Sequence, residues 1–114
     1  IEIETKNNAS NQNIKYKANK VAVCTNAFTK KFFPELNIMP GRGQVLITNP
    51  LPHLKFKGVF HFDEGYYYFR NVGNRVLLGG GRNLDFAGES TLELNTTDLI
   101  IDNLKQKLKE IIIP

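Results

Sequence analysis

The chain is poor in the residues on which the commonest small-protein chemistries are built. Among its 114 residues there is one cysteine, Cys24, and there are two histidines, His53 and His61. A single thiol excludes an internal disulfide and a cysteine-built metal site, and two histidines eight positions apart leave no zinc constellation. No uninterrupted apolar run approaches the roughly 20 residues of a membrane-spanning helix. The first residues, Ile1-Glu2-Ile3-Glu4, have neither the basic flank nor the apolar block of a secretory signal. The expected compartment is therefore the cytoplasm, with no membrane partner and no metal. There is no Ser/His/Asp order and no nucleophile elbow, so no residue is assigned a catalytic role. Because the chain begins with isoleucine, it is expected to be a processed product or, on the favoured reading, an excised piece of a longer protein.

Hydrophobic residues make up 41% and charged residues 23%, a composition that argues against a disordered, collagen-like or coiled-coil chain. The length suits one modest domain, and two separate cores would be cramped. The net charge of +4 is unevenly spread: nine basic and three acidic residues in 1–60, six basic and eight acidic in 61–114. The lysines come singly or in pairs, without an arginine-rich stripe. A solvated surface is the simpler reading, and a nucleic-acid partner is not expected.

Ile1–Thr5 alternates apolar and polar residues as a half-buried strand does, and Ile14–Ala18 returns to make a hairpin across the polar turn Asn7–Asn13. Lys20–Cys24 is a short continuous apolar run that suits a strand covered on both faces, with Cys24 an inert buried thiol. That strand lacks the alternating neighbours of a parallel sheet. The centre is an antiparallel meander: strands at Gln44–Thr48, Val59–Phe62, Tyr66–Arg70 and Arg75–Gly79, with turns at Asp63–Gly65 and Asn71–Asn74. At the end, Thr96 or Thr97 can cap a helix whose Ile100, Leu104, Leu108 and Ile111 recur at helical spacing, with Pro114 stopping it. The fold class is thus α+β, an antiparallel meander with a C-terminal amphipathic helix and an N-terminal hairpin.

Three stretches could carry chemistry. Tyr66-Tyr67-Tyr68-Phe69 on a strand sends alternate rings to opposite faces, so one face can be core while the other offers phenols to a ligand. The alternative is aromatic strand filler. Gly79-Gly80-Gly81-Arg82 lacks the ending of a phosphate loop and means that something bulky nears the backbone or that the chain bends sharply. Arg82 could then receive a carboxylate, or equally form an ion pair with Asp85 or Glu89. In Pro40-Gly41-Arg42-Gly43-Gln44 an arginine sits between two glycines, which suits a clamped guanidinium or any crossover turn.

Ala18–Thr29, Pro40–Leu46, Tyr66–Arg70 and Arg75–Gly81 occur in the order seen in the D-amino-acid oxidase superfamily of FAD-dependent oxidoreductases. The chain most resembles its glycine oxidase and sarcosine oxidase branch, over nearly its whole length. The resemblance implies that residues 1–37 are a piece of the FAD-binding domain and 38–114 the substrate-binding domain. It implies oxidation of the C–N bond of an amine or amino acid by hydride transfer to flavin. It places Tyr67 on the substrate carboxylate, Arg82 by the substrate pocket, and Thr25, Asn26 and Arg42 near the FAD. The Gly-x-Gly-x-x-Gly fingerprint is not in these residues. An inactive internal fragment that does not retain FAD by itself is expected, its partners being the remainder of its own chain and a small amine or amino acid. It is also expected to self-associate through Val21, Val23 and Phe28. The rival expectation is a noncatalytic small-molecule or interaction module.

Overall fold

The computed structural model describes residues 1–113. The chain divides into two compact units, Ile1–Leu36 and a second from Asn37 onward.

In the first unit β1 (Glu2–Lys6) pairs antiparallel with β2 (Asn13–Lys17), in register from Glu2 opposite Lys17 to Lys6 opposite Asn13. Asn7 builds the connecting turn, its Oδ1 accepting from the amides of Ala9 at 2.9 Å and Ser10 at 3.3 Å. This is the local bonding that makes asparagine a turn residue. The strand expected at Lys20–Cys24 is not formed: among the described residues no segment pairs with it. An apolar run records that a segment wants burial, but a strand also needs a neighbour for its amides and carbonyls. The thiol of Cys24 is exposed rather than buried, for the same reason. A 3₁₀ turn over Asn26–Lys31 follows.

The second unit holds a four-stranded antiparallel sheet of β3 (Val45–Ile47), β4 (Val59–Phe62), β5 (Tyr67–Val72) and β6 (Arg75–Gly80). Their spatial order is β3-β6-β5-β4, so the last three strands form a meander and β3 flanks β6. Gly73 and Asn74 alone turn the β5–β6 hairpin, with φ of 59° at Gly73, as a tight turn with glycine first requires. Asn71 and Val72, expected in that turn, therefore belong to β5.

The helix α1 (Asp98–Lys107) runs on into a wider turn over Leu108–Ile112. Ile100 and Leu104 are buried with Tyr67 and Leu78, and Leu46, Phe62, Phe69, Leu108 and Ile112 pack around them. Each inward position is four residues after the last. The wide final turn carries Ile111, expected in this stripe, out to solvent and brings Ile112 in. Pro114, expected to end the helix, lies outside the described residues. Among those residues no helix is long and apolar enough to cross a membrane.

Candidate functional site

Strand register sorts the sheet into two faces. Tyr67 lies opposite Phe62 and Gly80, and Phe69 opposite Phe60 and Leu78; this face meets α1. Tyr68 lies opposite His61 and Gly79, which is itself opposite Val45; Arg70 lies opposite Val59 and Leu77. On this other face, among the described residues, Val45, Ile47 and Val59 are exposed, Val59 by 66%, while Tyr68 and Leu77 are half-buried. A half-apolar sheet face left open is an unusual use of β-branched residues and marks a surface made to be covered.

Tyr67 sits on the helix side. It is 1% exposed, stacks on Phe62 with ring centroids 5.1 Å apart, and donates its hydroxyl to Asn103 Oδ1 at 2.7 Å. Burial pushes its phenol above the ordinary tyrosine range, and Asp63 adds to that. The phenol on the open face is that of Tyr68. It lies flat across Gly79, where a Cβ would come within 2.5 Å of its Oη and 2.7 Å of Val45 Cγ1. Glycine at 79 is what lets the ring lie down, and the Tyr68 hydroxyl has no hydrogen-bond partner among the described residues.

The next glycine bends the chain. At Gly80, φ is 125° and a Cβ would meet the Tyr66 carbonyl at 2.1 Å, so no side chain fits. Both meanings read from the glycine run, a bulky neighbour and a sharp bend, therefore hold, at successive residues. The run is not a phosphate cradle. The amide of Gly80 donates to the Gln44 carbonyl at 3.4 Å and that of Gly81 to the Tyr66 carbonyl at 3.1 Å.

Arg82 follows at the strand end. Its guanidinium rests against Gly41, where a Cβ would stand 2.9 Å from Cζ, and its Cζ lies 5.6 Å from the centroid of the Phe86 ring. Among the described residues it forms no ion pair, and its Nε is buried without a partner. Asp85 Oδ1 instead accepts from the Gly88 amide at 2.8 Å. Glu89, the other carboxylate considered for it, is held by Arg42.

Arg42 is clamped, as its two flanking glycines suggest, but by the protein itself. Its Nε donates to both Glu89 carboxylate oxygens, at 3.2 and 3.1 Å, and Nη2 lies 2.5 Å from Oε1. Nη1 donates to Asn95 Oδ1. The Gln44 amide adds a bond to Glu89 Oε1 at 2.9 Å and another to Thr97 Oγ1 at 2.8 Å, while its Oε1 accepts from the Thr97 amide at 2.8 Å. Thr97, one of the two threonines expected to cap α1, stands at the cap position, but its hydroxyl accepts from the Gln44 amide and makes no capping bond. The Arg42 hydrogen bond holds the buried Glu89 below the ordinary carboxylate range against the opposing effect of its own burial. Arg42 and Gln44 thus tie the Pro40–Gln44 turn to the start of α1. These bonds engage the Nε, Nη1 and Nη2 of Arg42 within the protein. The sequence held the Pro40–Gln44 signal but not its partner, 45 residues away.

Thr25 and Asn26 belong to the first unit. The Thr25 hydroxyl lies 3.0 Å from that of Thr29. Asn26 is exposed and holds a left-handed φ of 46°, a conformation that costs energy in most residues and clusters at ligand sites. Beside Thr25 runs an apolar groove of about 470 Å³ lined in part by Ile3, Val21, Val23, Phe32 and Phe33. Among the described residues no group of three or more His, Cys, Asp and Glu side chains is placed to hold a metal ion. The predicted site residues therefore fall in two units, with Tyr67, Arg82 and Arg42 in the second and Thr25 and Asn26 in the first.

The family model described as FAD dependent oxidoreductase (DAO) matches residues 2–114. No curated protein and no solved structure matches the chain. The match covers nearly every residue, and the chain belongs to this family of FAD-dependent oxidoreductases.

Proposed function

We propose that this member of the FAD-dependent oxidoreductase family orients the substrate in an enzyme that oxidises the C–N bond of an amine or amino acid, as glycine and sarcosine oxidases do. The observation that carries the reading is the open sheet face, with the unpartnered Tyr68 hydroxyl lying across Gly79. Bound FAD would supply the hydride acceptor for oxidation of the substrate C–N bond to C=N, with the nitrogen's proton released to solvent. What these residues contribute is binding and orientation. The Tyr68 hydroxyl donates to the substrate carboxylate. Tyr67, which the resemblance places on that carboxylate, acts from the core: its bond to Asn103 fixes β5 and so the position of the next ring. Arg82 offers a second cation at the strand end.

On this reading residues 1–37 are a piece of the FAD-binding part, and the rest of that part lies elsewhere in a longer chain. The exposed Asn26 amide and the neighbouring Thr25 fit a place beside the cofactor; Arg42, bonded internally, does not. The chain alone does not hold FAD tightly. The test is to express the whole reading frame and record its visible spectrum before and after anaerobic addition of glycine, sarcosine and larger amino acids. An oxidised flavin band that bleaches with an amine supports the reading. Absence of flavin after reconstitution contradicts it and leaves the noncatalytic binding module. In the flavin-loaded protein Tyr68→Phe is expected to raise KM about tenfold or more, the worth of one hydrogen bond to a charged group, with flavin content unchanged; an unaltered KM excludes Tyr68 from the site.

A further inference from the structure

We infer that Arg82, Phe86 and Tyr66 form a subsite for a second acidic group, so that the substrates are dicarboxylic amines or amino acids; this rests on the oxidoreductase reading above. The guanidinium of Arg82 is positioned and not neutralised. Gly41 presses on it with a bare Cα and Phe86 presents its ring, which hold the planar cation in place. Internal carboxylates are close in sequence, yet Asp85 serves the Gly88 amide and Glu89 serves Arg42 and Gln44. The Nε is enclosed by the protein without a partner, as is the Oδ1 of the neighbouring Asn83, while the two Nη atoms reach the surface and make no hydrogen bond among the described residues; a ligand carboxylate would meet the guanidinium at that Nη edge.

The surroundings select the kind of anion. Phe86 meets Tyr66 edge to face at 6.5 Å, and both rings are exposed. They offer an apolar wall for the methylene groups that would link an acid to the reacting amine. One arginine pairs with either a carboxylate or a phosphate through two donors, but the remaining phosphate oxygens would seek further donors. The Gly80 and Gly81 amides beside Arg82, which could have supplied them, are bonded to Gln44 and Tyr66. A carboxylate matches the flat two-donor edge of a guanidinium by itself. Tyr66 also begins the run that carries Tyr68, so the two subsites belong to one stretch of chain.

The test uses two measurements. The first follows the Arg82 Nε resonance of the ¹⁵N-labelled chain during titration with succinate, with succinamide and inorganic phosphate as comparisons. A saturable shift with succinate, absent with succinamide and weaker with phosphate, is expected. Gly41→Ala, which pushes the guanidinium aside, should weaken the succinate response about tenfold. An equal response to succinamide, a stronger one to phosphate, or none to succinate overturns the subsite. The second compares aspartate with asparagine in the flavin-loaded protein. Arg82→Gln is expected to lower the aspartate-to-asparagine ratio of kcat/KM about 10- to 100-fold, and an unchanged ratio overturns the proposal. If no amine bleaches the flavin, the oxidoreductase reading falls, while the succinate titration still decides whether Arg82 binds a carboxylate.

Discussion

The two units use similar apolar residues to opposite ends. From Asn37 onward, Tyr67, Val76, Leu78, Ile100 and Leu104 are all buried, and a sheet face and a helix close over one another. In Ile1–Leu36 no side chain is fully buried, and Val21, Val23, Phe28, Phe32 and Phe33 all face solvent in part. The first unit's ladder is a single hairpin of five residues a strand, an arrangement marginal in water by itself. An apolar pattern therefore states a requirement for burial, and the second unit meets it internally where the first does not. The proposed function draws on both units. The second unit presents a preformed open face with a bare phenol, and the first presents a groove and a strained asparagine.

The sharpest way to break this contrast is to cut the core of one unit and the groove of the other. Leu104→Ala is expected to remove about 3 kcal/mol from the unfolding transition of the second unit. Val23→Ala should leave that transition where it was. Denaturant unfolding followed by near-ultraviolet signals of the tyrosines checks both, and equal losses would erase the distinction.

The Arg42–Glu89–Gln44 clamp comes next. Glu89→Gln should destabilise the second unit by about 2 kcal/mol, since it weakens bonds to a charged partner inside the protein. Its pH dependence has a definite sign. The Arg42 hydrogen bond lowers the folded-state pKa of Glu89, so on acidification the unfolded chain takes up that proton first. Stability is then complete above the ordinary carboxylate range and declines as the pH falls through it toward the depressed value. Melting temperatures measured from neutral to acid pH should show this decline in the wild type and less of it in Glu89→Gln. An equal decline in both would remove Glu89 as the cause.

The smallest effect expected is on association. The partly exposed Val21, Val23 and Phe28 should make the chain self-associate, and Val23→Ser should shift sedimentation toward the monomer. A wild type that stays monomeric at high concentration would show that this surface is not adhesive.

Much of the second unit is legible in its residues. Period-two alternation, Asp63–Gly65 and Gly73-Asn74 define the meander, and Val59–Phe62 appears with the boundaries read from sequence. The glycine run announced a close neighbour or a bend, without saying that both occur or that the neighbour is Tyr68. What escaped was pairing over distance. Nothing local says that Glu89 chooses Arg42 over Arg82, or that Gln44 occupies the hydroxyl of Thr97. Which tyrosine faces the helix depends on strand register, fixed by the cross-strand pairs of Phe62 with Tyr67 and His61 with Tyr68. At Lys20–Cys24 composition described an environment that the described residues do not themselves provide. The shift from Ile111 to Ile112 arises from one widened turn, which helical spacing alone does not reveal.

The contrast in packing between the units is tested most directly by amide hydrogen exchange on the chain, read residue by residue. The account predicts the slowest exchange at paired amides of β5 and β6 and in α1 around Ile100 and Leu104, with β1 and β2 exchanging orders of magnitude faster. Protection in the β1–β2 hairpin equal to that of β5–β6 would contradict it, because the first unit would then be as complete in itself as the second.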